Sequence, residues 1–456
     1  SLHASSGGRM VLGGRVGGQL IATSATGGIG QDAVAPSGAL TVQGPASLDA
    51  GAGAITLGNV NNDFSGPVDL AGGAVNIRDT NTLGLGQLDV ASLDVHSRDA
   101  LSLGQGTIRG ALAARNAGGG ITQTGALRVE GVANVNAGYG VGAGAITLDH
   151  VDNDFRGAVT LVGGAARVRD TDGLRLQQFS VTSLDATSGG ALSLGGGDVR
   201  GDFTATSTAG GITQQGAITV NGTSSIDAGT GNILLTDAGN RFTGTVNLWG
   251  GAVAIAGGAA LDLGAVDATS LLAAATRIGL VGDVTTSGGQ TYDGALVLRE
   301  DVALNAGGAV DFLSTVDGAH RLSVDAGGVV AFDAAVGGGT ALAGLYVDAL
   351  GFGAASTVDV GDLSIAVQAG GITQQDAFHV AGNASFDAGA GNVFLTHADN
   401  DFAGPVALRG DSVQVRDRSA LTLGALDVGE LAANSTGALG LGSGSIAGVL
   451  VARSGG

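Results

Sequence analysis

Two Arg-Gly-Asp tripeptides are the short motifs in this sequence best suited to contact another protein. They are Arg200-Gly201-Asp202 and Arg409-Gly410-Asp411. Such a tripeptide presents a guanidinium and a carboxylate close together when it lies on an exposed turn. Arg, Gly and Asp are all common in this chain, so the specificity of the match is low. We interpret both as ordinary turns, the second of them exposed, with adhesion as the alternative role of Arg200, Gly201, Asp202, Arg409, Gly410 and Asp411.

Acidic side chains are plentiful but form no unique cluster. Hydrolysis of polysaccharides would require two carboxyl groups about 5–10 Å apart. The densest acidic neighbourhood consists of Glu130, Asp149, His150, Asp152 and Asp154. The segment 195–198 is only a fragment of a calcium-binding Gly-Gly-x-Gly-x-Asp motif, and the histidines lack ligand spacing. We therefore predict no catalytic residue, metal site or cofactor, and we interpret the Gly-x-Gly-x-x-Gly matches within 138–144 as low complexity.

Three Arg-Asp pairs share one position in the sequence repeat described below. They are Arg78-Asp79, Arg169-Asp170 and Arg416-Asp417. Adjacent residues of a strand point to opposite faces, so a paired catalytic role is not expected. We predict that these pairs are solvated surface charges.

The composition excludes several classes of function. The 456 residues include 87 glycines and no cysteine or lysine, and the net charge is −20. An acidic surface repels phosphate groups, so nucleic acid and anionic membranes are poor partners. No segment predicts membrane insertion. Because 44% of the residues are hydrophobic, a packed core is nevertheless expected.

The elements that would position these residues are long internal repeats. Gly-Gly-Ile followed by Gln begins at residues 27, 119, 210 and 370, and an Asn-x-Phe motif ends at Phe64, Phe155, Phe242 and Phe402. The Phe spacings are 155 − 64 = 91, 242 − 155 = 87 and 402 − 242 = 160 residues. We place long repeats near 27–118, 119–209, 210–282 and 370–456, with a variant insertion of coils near 283–366. The whole of 1–456 is expected to be one continuous structure.

A shorter step of about 20 residues runs through each repeat. Each step holds runs of about four alternating aliphatic residues bounded by Gly, Asn or Asp, a pattern typical of short β-strands. This step predicts an all-β fold, a right-handed parallel β-helix (solenoid) with coils of about 20 residues. About 22 coils at roughly 4.8 Å would form a rod on the order of 100 Å long. The repeated Phe should be core residues, and Asn62, Asn153, Asn240 and Asn400 should lie with the glycines at corners that require positive φ or close backbone approach.

The motifs also resemble a known family. Gly-Gly-Ile-Thr-Gln, Asp-Ala-Gly-x-Gly and Gln290-Thr291-Tyr292-Asp293-Gly294 are similar to segments of filamentous-haemagglutinin-type adhesins, the two-partner secretion exoproteins of Gram-negative bacteria. The resemblance covers essentially the whole chain. It implies a right-handed parallel β-helix, export by an outer-membrane partner transporter, and adhesion. In such adhesins an Arg-Gly-Asp tripeptide can engage host integrins.

We therefore expect the rod-like repeat region of a secreted bacterial surface adhesin, acting as a spacer and contacting a protein or glycan on a host or neighbouring cell. The alternatives are the stalk of a contact-dependent toxin-delivery exoprotein and, third, a polysaccharide-active enzyme on the same scaffold. The start at Ser1 and the uncapped ends suggest a fragment of a longer protein. Any specific contact should lie where the copies differ, at 200–202, at 409–412 and around Tyr292.

Overall fold

The computed structural model describes residues 1–31 and 38–456, and all regular structure in these ranges is β-strand. The chain divides into two compact units, Ser1–Asn232 and Ile233–Gly456. No helix in the described ranges is long and apolar enough to span a membrane. The prediction of an all-β solenoid built from parallel strands is confirmed.

The strands are short for the most part, and some continue through a bend into the next face of the turn. The strands of the first unit are Leu2–Ser6, Met10–Val11, Gly14–Val16, Leu20–Ser24, Ile29–Gly30, Leu40–Val42, Ala46–Asp49, Ile55–Leu57, Asp63–Phe64, Val68–Asp79, Leu83–Ser97, Leu101–Ser102, Gln105–Ile108, Leu112–Asn116, Ile121–Thr122, Leu127–Val129, Ala133–Asn136, Ile146–Leu148, Asp154–Phe155, Val159–Val162, Ala165–Asp170, Leu174–Val181, Ser183–Ser188, Leu192–Val199, Phe203–Ser207, Ile212–Gln214, Ile218–Val220 and Ser224–Asp227. Those of the second unit are Ile233–Leu235, Arg241–Phe242, Val246–Ala256, Ala260–Leu280, Val284–Thr286, Gln290–Leu298, Val302–Ala306, Val310–Phe312, Val316–Asp317, Arg321–Phe332, Leu342–Ala354, Val358–Val367, Ile372–Thr373, Phe378–Val380, Ala384–Asp387, Val393–Leu395, Asp401–Phe402, Val406–Asp417, Leu421–Ser435, Leu439–Gly440, Ser443–Ile446 and Leu450–Ser454.

Each turn pairs with the next in parallel register. In the first unit Leu184 pairs with Phe203, and 203 − 184 = 19 residues. In the second unit Val302 pairs with Leu322, and 322 − 302 = 20 residues. Parallel pairing at this step means that every backbone ladder runs between successive turns rather than within a hairpin. Each unit is thus a solenoid with turns of about 20 residues.

Alternating side chains fill the interior of each unit. Along Val302–Ala306 the first, third and fifth residues are buried and the fourth is exposed, as expected for a strand with one face in a core. The four Phe of the repeat, at positions 64, 155, 242 and 402, have at most 4% of their surface exposed. Their predicted core position is confirmed.

A column of aromatic rings runs through the core of the second unit. The ring centroids of Tyr292 and Phe312 are 5.3 Å apart and those of Phe312 and Phe332 are 4.5 Å apart, with nearly parallel planes. The column continues to Phe402 through one tilted, two edge-on and one stacked contact. Tyr292, Phe312 and Phe332 are register partners on successive turns, so their rings lie one above another and stacking adds to their burial.

The Gly-Gly of the repeat is explained by crowding at a corner. A Cβ on Gly119 would lie 2.4 Å from the backbone nitrogen of Ala100 on the preceding turn. Gly120 has φ = 89°, which a side chain disfavours. The repeated Asn residues do not have the positive φ that was one of the two predicted reasons for a corner residue. Among the described residues only glycines have positive φ. The Asn side chains, rather than their backbones, shape the corner.

Candidate functional site

A hydrogen-bonded pair of amide side chains, a buried Asn and a half-buried Gln, joins the two most regular motifs of the repeat. In the second copy Gln123 Nε2 donates to Asn153 Oδ1 at 2.7 Å, and Asn153 Nδ2 donates to Gln123 Oε1 at 2.9 Å. Asn153 Oδ1 also accepts the Leu127 N–H at 2.9 Å, and Asn153 Nδ2 donates to the Leu148 carbonyl at 3.0 Å. Asn153 is fully buried, so protein groups satisfy its whole amide. The hydrogen bonds between Gln123 and Asn153 connect one turn to the next.

The same pairing occurs in other copies. Gln31 and Asn62 exchange hydrogen bonds of 2.6 and 3.1 Å, and Gln374 and Asn400 exchange bonds of 2.7 and 2.8 Å. In the third copy the buried Asn240 donates to two backbone carbonyl groups, each at 3.1 Å. The recurring Gln and Asn side chains are therefore structural groups that face other parts of the chain.

The Asp of each Arg-Asp pair is buried, so the prediction of a solvated charge is wrong for these carboxyl groups. Asp79, Asp170 and Asp417 expose 3%, 2% and 0% of their surface. One oxygen of each accepts the backbone N–H of the repeat Phe on the preceding turn, at 2.7, 2.6 and 2.7 Å. The other oxygen accepts the N–H two residues later, at 2.8, 2.8 and 2.5 Å. Adjacent residues do face opposite ways, and here it is Asp that faces inward.

Burial alters the acidity of two of these groups. It raises the pKa of Asp79 to about 6; the two backbone N–H donors act in the opposite direction, and the nearby Asp63 and Asp99 add to the rise. Burial also raises the pKa of Asp170. The hydrogen bonds nevertheless account for both oxygens of each carboxyl group, so the arrangement organises a corner.

The second Arg-Gly-Asp lies inside the strand Val406–Asp417, so the predicted exposed turn is wrong. Gly410 is buried between two exposed residues. Arg409 Nη1 lies 3.1 Å from Asp387 Oδ2, and Arg409 Nε lies 3.5 Å from Asp427 Oδ2. Because Asp387, Arg409 and Asp427 occupy the same register position on three successive turns, the guanidinium bridges the turns on either side.

The first Arg-Gly-Asp lies in a bend between Leu192–Val199 and Phe203–Ser207. Asp202 Oδ1 accepts the backbone N–H of Thr223 at 2.9 Å. Arg200 is exposed, and its guanidinium carbon lies 5.0 Å from the ring centroid of Tyr139. The two tripeptides lie in different units and have different local structures. A role in adhesion stays a prediction for both.

Tyr139 belongs to a glycine-rich loop that is longer in the second copy of the repeat than in the first. Asn136 and Ile146 are 146 − 136 = 10 positions apart, whereas the equivalent Asp49 and Ile55 are 55 − 49 = 6 positions apart. Tyr139 exposes 73% of its surface, and Val141 in the same loop is fully exposed. The four extra residues were visible on aligning the copies, but their glycines made the segment resemble low complexity.

Ion pairs occupy the acidic neighbourhood around Glu130. Arg128 lies 3.2 Å from Glu130 and 3.7 Å from Asp154, and Arg156 lies 3.1 Å from Asp154. Within residues 1–31 and 38–456, no group of three or more His, Cys, Asp or Glu side chains is arranged to hold a metal ion. The pair of Arg128 with Asp154 connects neighbouring turns, because these two residues are register partners, and the other two pairs lie within a turn.

The segment around Tyr292 is part of the core, so the expectation of a surface contact there is wrong. Gln290 and Tyr292 are both fully buried. The Tyr292 hydroxyl donates to Gln290 Oε1 at 2.9 Å, and Gln290 Nε2 donates to the Asn305 carbonyl at 3.0 Å. This insertion extends the solenoid interior.

The repeat is also recognised by comparison with known proteins. Residues 1–71, 91–162, 181–248 and 339–409 match a family described as repeats of unknown function (DUF5649). The matched segments begin 90, 90 and 158 residues apart (91 − 1, 181 − 91 and 339 − 181) and together cover more than half of the chain. Comparison with curated proteins and with solved structures finds no match. The chain therefore belongs to the family of repeats of unknown function (DUF5649).

Proposed function

We propose that this chain is the repeat region of a secreted bacterial surface adhesin, in which the stacked turns act as a spacer and carry contacts to other cells. The observation that supports this role most directly is the mutual bonding of the repeat motifs. Gln123 and Asn153 satisfy each other across adjacent turns, and the same is true of their equivalents in two other copies. Repeats whose recurring side chains bond to one another determine how the turns stack and how long the solenoid is. The side chains that point outward are then free to differ between copies.

The outward positions do differ between copies. After the strand sequence Val-x-Leu, the next outward residue is Ala71, Val162, Trp249 or Arg409 in the four copies, whereas the preceding Val and Leu are buried in all of them. Constant core residues combined with variable surface residues are expected when the solenoid is the same in every copy and its surface chemistry is not. This supports a spacer whose local surface can acquire individual contacts.

Export and location are part of the same proposal. The motif resemblance supports secretion through an outer-membrane partner transporter to the surface of a Gram-negative bacterium, and an absence of cysteine suits a chain that crosses membranes unfolded. The partner would be a protein or glycan on a host or neighbouring cell. We also propose that the chain has no enzymatic activity.

Attachment of coated beads tests the adhesive role. Beads carrying the 456-residue chain should adhere to epithelial or bacterial cells several-fold more than beads carrying serum albumin, another acidic protein that controls for charge. Equal attachment of the two bead types to both kinds of cell would refute adhesion. A screen against glycans and matrix proteins would then identify the partner.

Removal of one turn tests the spacer role. Deletion of residues 303–322 joins Val302 to Ser323 and preserves register, because Val302 and Leu322 are paired. The shortened chain should fold and attach as well as the full chain. Unfolding of the shortened chain would contradict the view that turns are interchangeable units of length.

An assay for reducing ends tests the absence of enzymatic activity. Incubation of the chain with bacterial and plant polysaccharides should release none above the level given by the heat-denatured chain. Clear turnover would contradict the proposal.

A further inference from the structure

Two copies of the repeat hold an arginine at the same place but partner it differently. Arg109 donates its backbone N–H to the Val90 carbonyl at 2.9 Å, and Arg200 donates its backbone N–H to the Val181 carbonyl at 3.1 Å. Each therefore begins the bend at the same register position. The two arginines therefore share a backbone position and differ in the side chains around their guanidinium groups.

In the first copy the guanidinium is neutralised by the preceding turn, because Arg109 forms an ion pair with Asp89. Asp89 pairs in register with Ala71, and its equivalent in the second copy, which pairs with Val162, is Ser180. The carboxylate that would partner Arg200 is thus replaced by a hydroxyl-bearing side chain. In the part of the chain that the structure describes, no ion pair involves Arg200.

The inserted loop supplies a different neighbour. Gly138, Gly140 and Gly142 have φ values of 92°, 82° and 85°, so the loop follows a path that side chains at these positions would disfavour. Between the glycines stand Tyr139, whose ring lies 5.0 Å from the Arg200 guanidinium carbon, and the fully exposed Val141. A cation over an aromatic face is attracted to the ring while its N–H donors remain available.

Two departures from the repeat therefore meet on one surface although they lie about 60 residues apart in sequence. One is the loss of the carboxylate partner of Arg200, and the other is the four-residue insertion that carries Tyr139 and Val141. Insertions in single repeats often lie on the binding face of solenoid proteins. Tyr and Arg are also among the residue types that are enriched in protein–protein hot spots.

We propose that Tyr139, Val141 and Arg200 form a contact site for an acidic segment of a partner protein. A carboxylate of the partner pairs with the Arg200 guanidinium in the place that Asp89 takes beside Arg109, and an adjacent apolar side chain of the partner packs on Val141 and the edge of the Tyr139 ring. A carboxylate is the natural complement because the guanidinium fork can bind it through two parallel hydrogen bonds. The site deepens the proposed contact role and rests on it for the presence of a protein partner.

Peptide selection tests the site on the folded full chain. A displayed library of random 12-residue peptides is selected on the wild-type chain and depleted on the Arg200→Gln variant. The enriched peptides should carry Asp or Glu next to Leu, Ile, Val or Phe. The absence of enrichment, or enrichment of peptides without acidic residues, would overturn the proposal.

Binding of one enriched peptide, measured by fluorescence anisotropy, locates the site. Arg200→Gln and Tyr139→Ala should each weaken binding at least tenfold, as should replacement of the acidic peptide residue by its amide. Arg109→Gln is the matched control, because Arg109 occupies the equivalent register position and is already paired with Asp89, and it should leave binding unchanged. Circular dichroism establishes that each variant is folded. Equal binding to wild type and Arg200→Gln would overturn the proposal.

The same variants separate this site from adhesion in general. Bead attachment that drops with Arg200→Gln supports both the site and the adhesive role. Peptide binding without attachment of wild-type beads supports the site and refutes adhesion. Attachment that survives Arg200→Gln while no peptide is selected supports adhesion and overturns the site.

Discussion

Replacement of Asn153 by Ala should destabilise the corner of the second copy where hydrogen bonds of Asn153 connect adjacent turns. The change removes the acceptor of the Leu127 N–H and the donor to the Leu148 carbonyl, and both of these residues are fully buried. Each unsatisfied buried backbone group costs about 1–3 kcal/mol, so the two together cost about 4 kcal/mol. The loss of the Gln123 bonds adds less, because Gln123 is only half-buried and water can hydrate its amide.

Hydrogen exchange is the appropriate assay, because a repeat array can open locally without unfolding as a whole. A loss of about 4 kcal/mol corresponds to a fall of roughly a thousandfold in the protection of the Leu127 amide. Mass spectrometry of peptides from this segment measures that change directly. Asn134→Ala is the matched control, because Asn134 is an exposed Asn in the neighbouring strand Ala133–Asn136.

Two outcomes would refute the reasoning about this corner. One is a change in Asn153→Ala below about 0.5 kcal/mol, the range expected for a surface substitution such as Asn134→Ala. The other is a loss of protection spread evenly over the whole chain. Either result would mean that the amide pair does not hold the turns together.

Three further predictions concern a buried carboxyl, a buried ring and an exposed ion pair. Because burial raises the pKa of Asp79 to about 6, the folded state holds this proton more tightly than the unfolded chain; the stabilising contribution is complete below about pH 4 and is lost as the pH rises through 6. Urea unfolding should therefore show wild type losing about 3 kcal/mol relative to Asp79→Asn between pH 4 and pH 7.5, and parallel pH profiles would contradict the assignment. Phe242→Ala should destabilise the chain by about 3–5 kcal/mol in urea unfolding, and a neutral result would place the ring at the surface. Arg409→Gln should leave the urea midpoint at moderate salt unchanged, because its ion pairs are exposed; a clear fall of the midpoint would show that they hold the turns together.

The fold could be predicted because its determinants are periodic. The 20-residue step sets the turn, and the alternation within each run sets which side chains enter the core. The Phe of the Asn-x-Phe motif was correctly assigned to the interior because a large ring recurring among small residues has few other places in a stacked coil. These inferences need only local patterns and repetition.

The candidate sites were harder to predict because they depend on neighbours in space. Alternation shows that Arg78 and Asp79 face opposite ways. It cannot show that the side chain of Asp79 is the buried one, because its hydrogen-bond donor, the Phe64 N–H, lies on the preceding turn. A polar Gln-Thr-Tyr sequence likewise gives no sign that Gln290 and Tyr292 satisfy each other within the core. The convergence of Tyr139 and Arg200 requires the register of several turns, which no single sequence window contains.

The amide pair constrains how genes for such chains can grow or shrink. Gln123 and Asn153 lie on adjacent turns of one copy, so a breakpoint between them that adds or removes a turn, or that joins the copy to a segment without the motif, would leave the buried Asn153 amide without its partner. Exchange of whole copies of about 90 residues avoids this cost, as does gain or loss of turns in 303–322, where the motif is absent. Length variants among relatives should therefore differ by whole copies or by single turns of about 20 residues outside the motif pair, and breakpoints should be depleted within it.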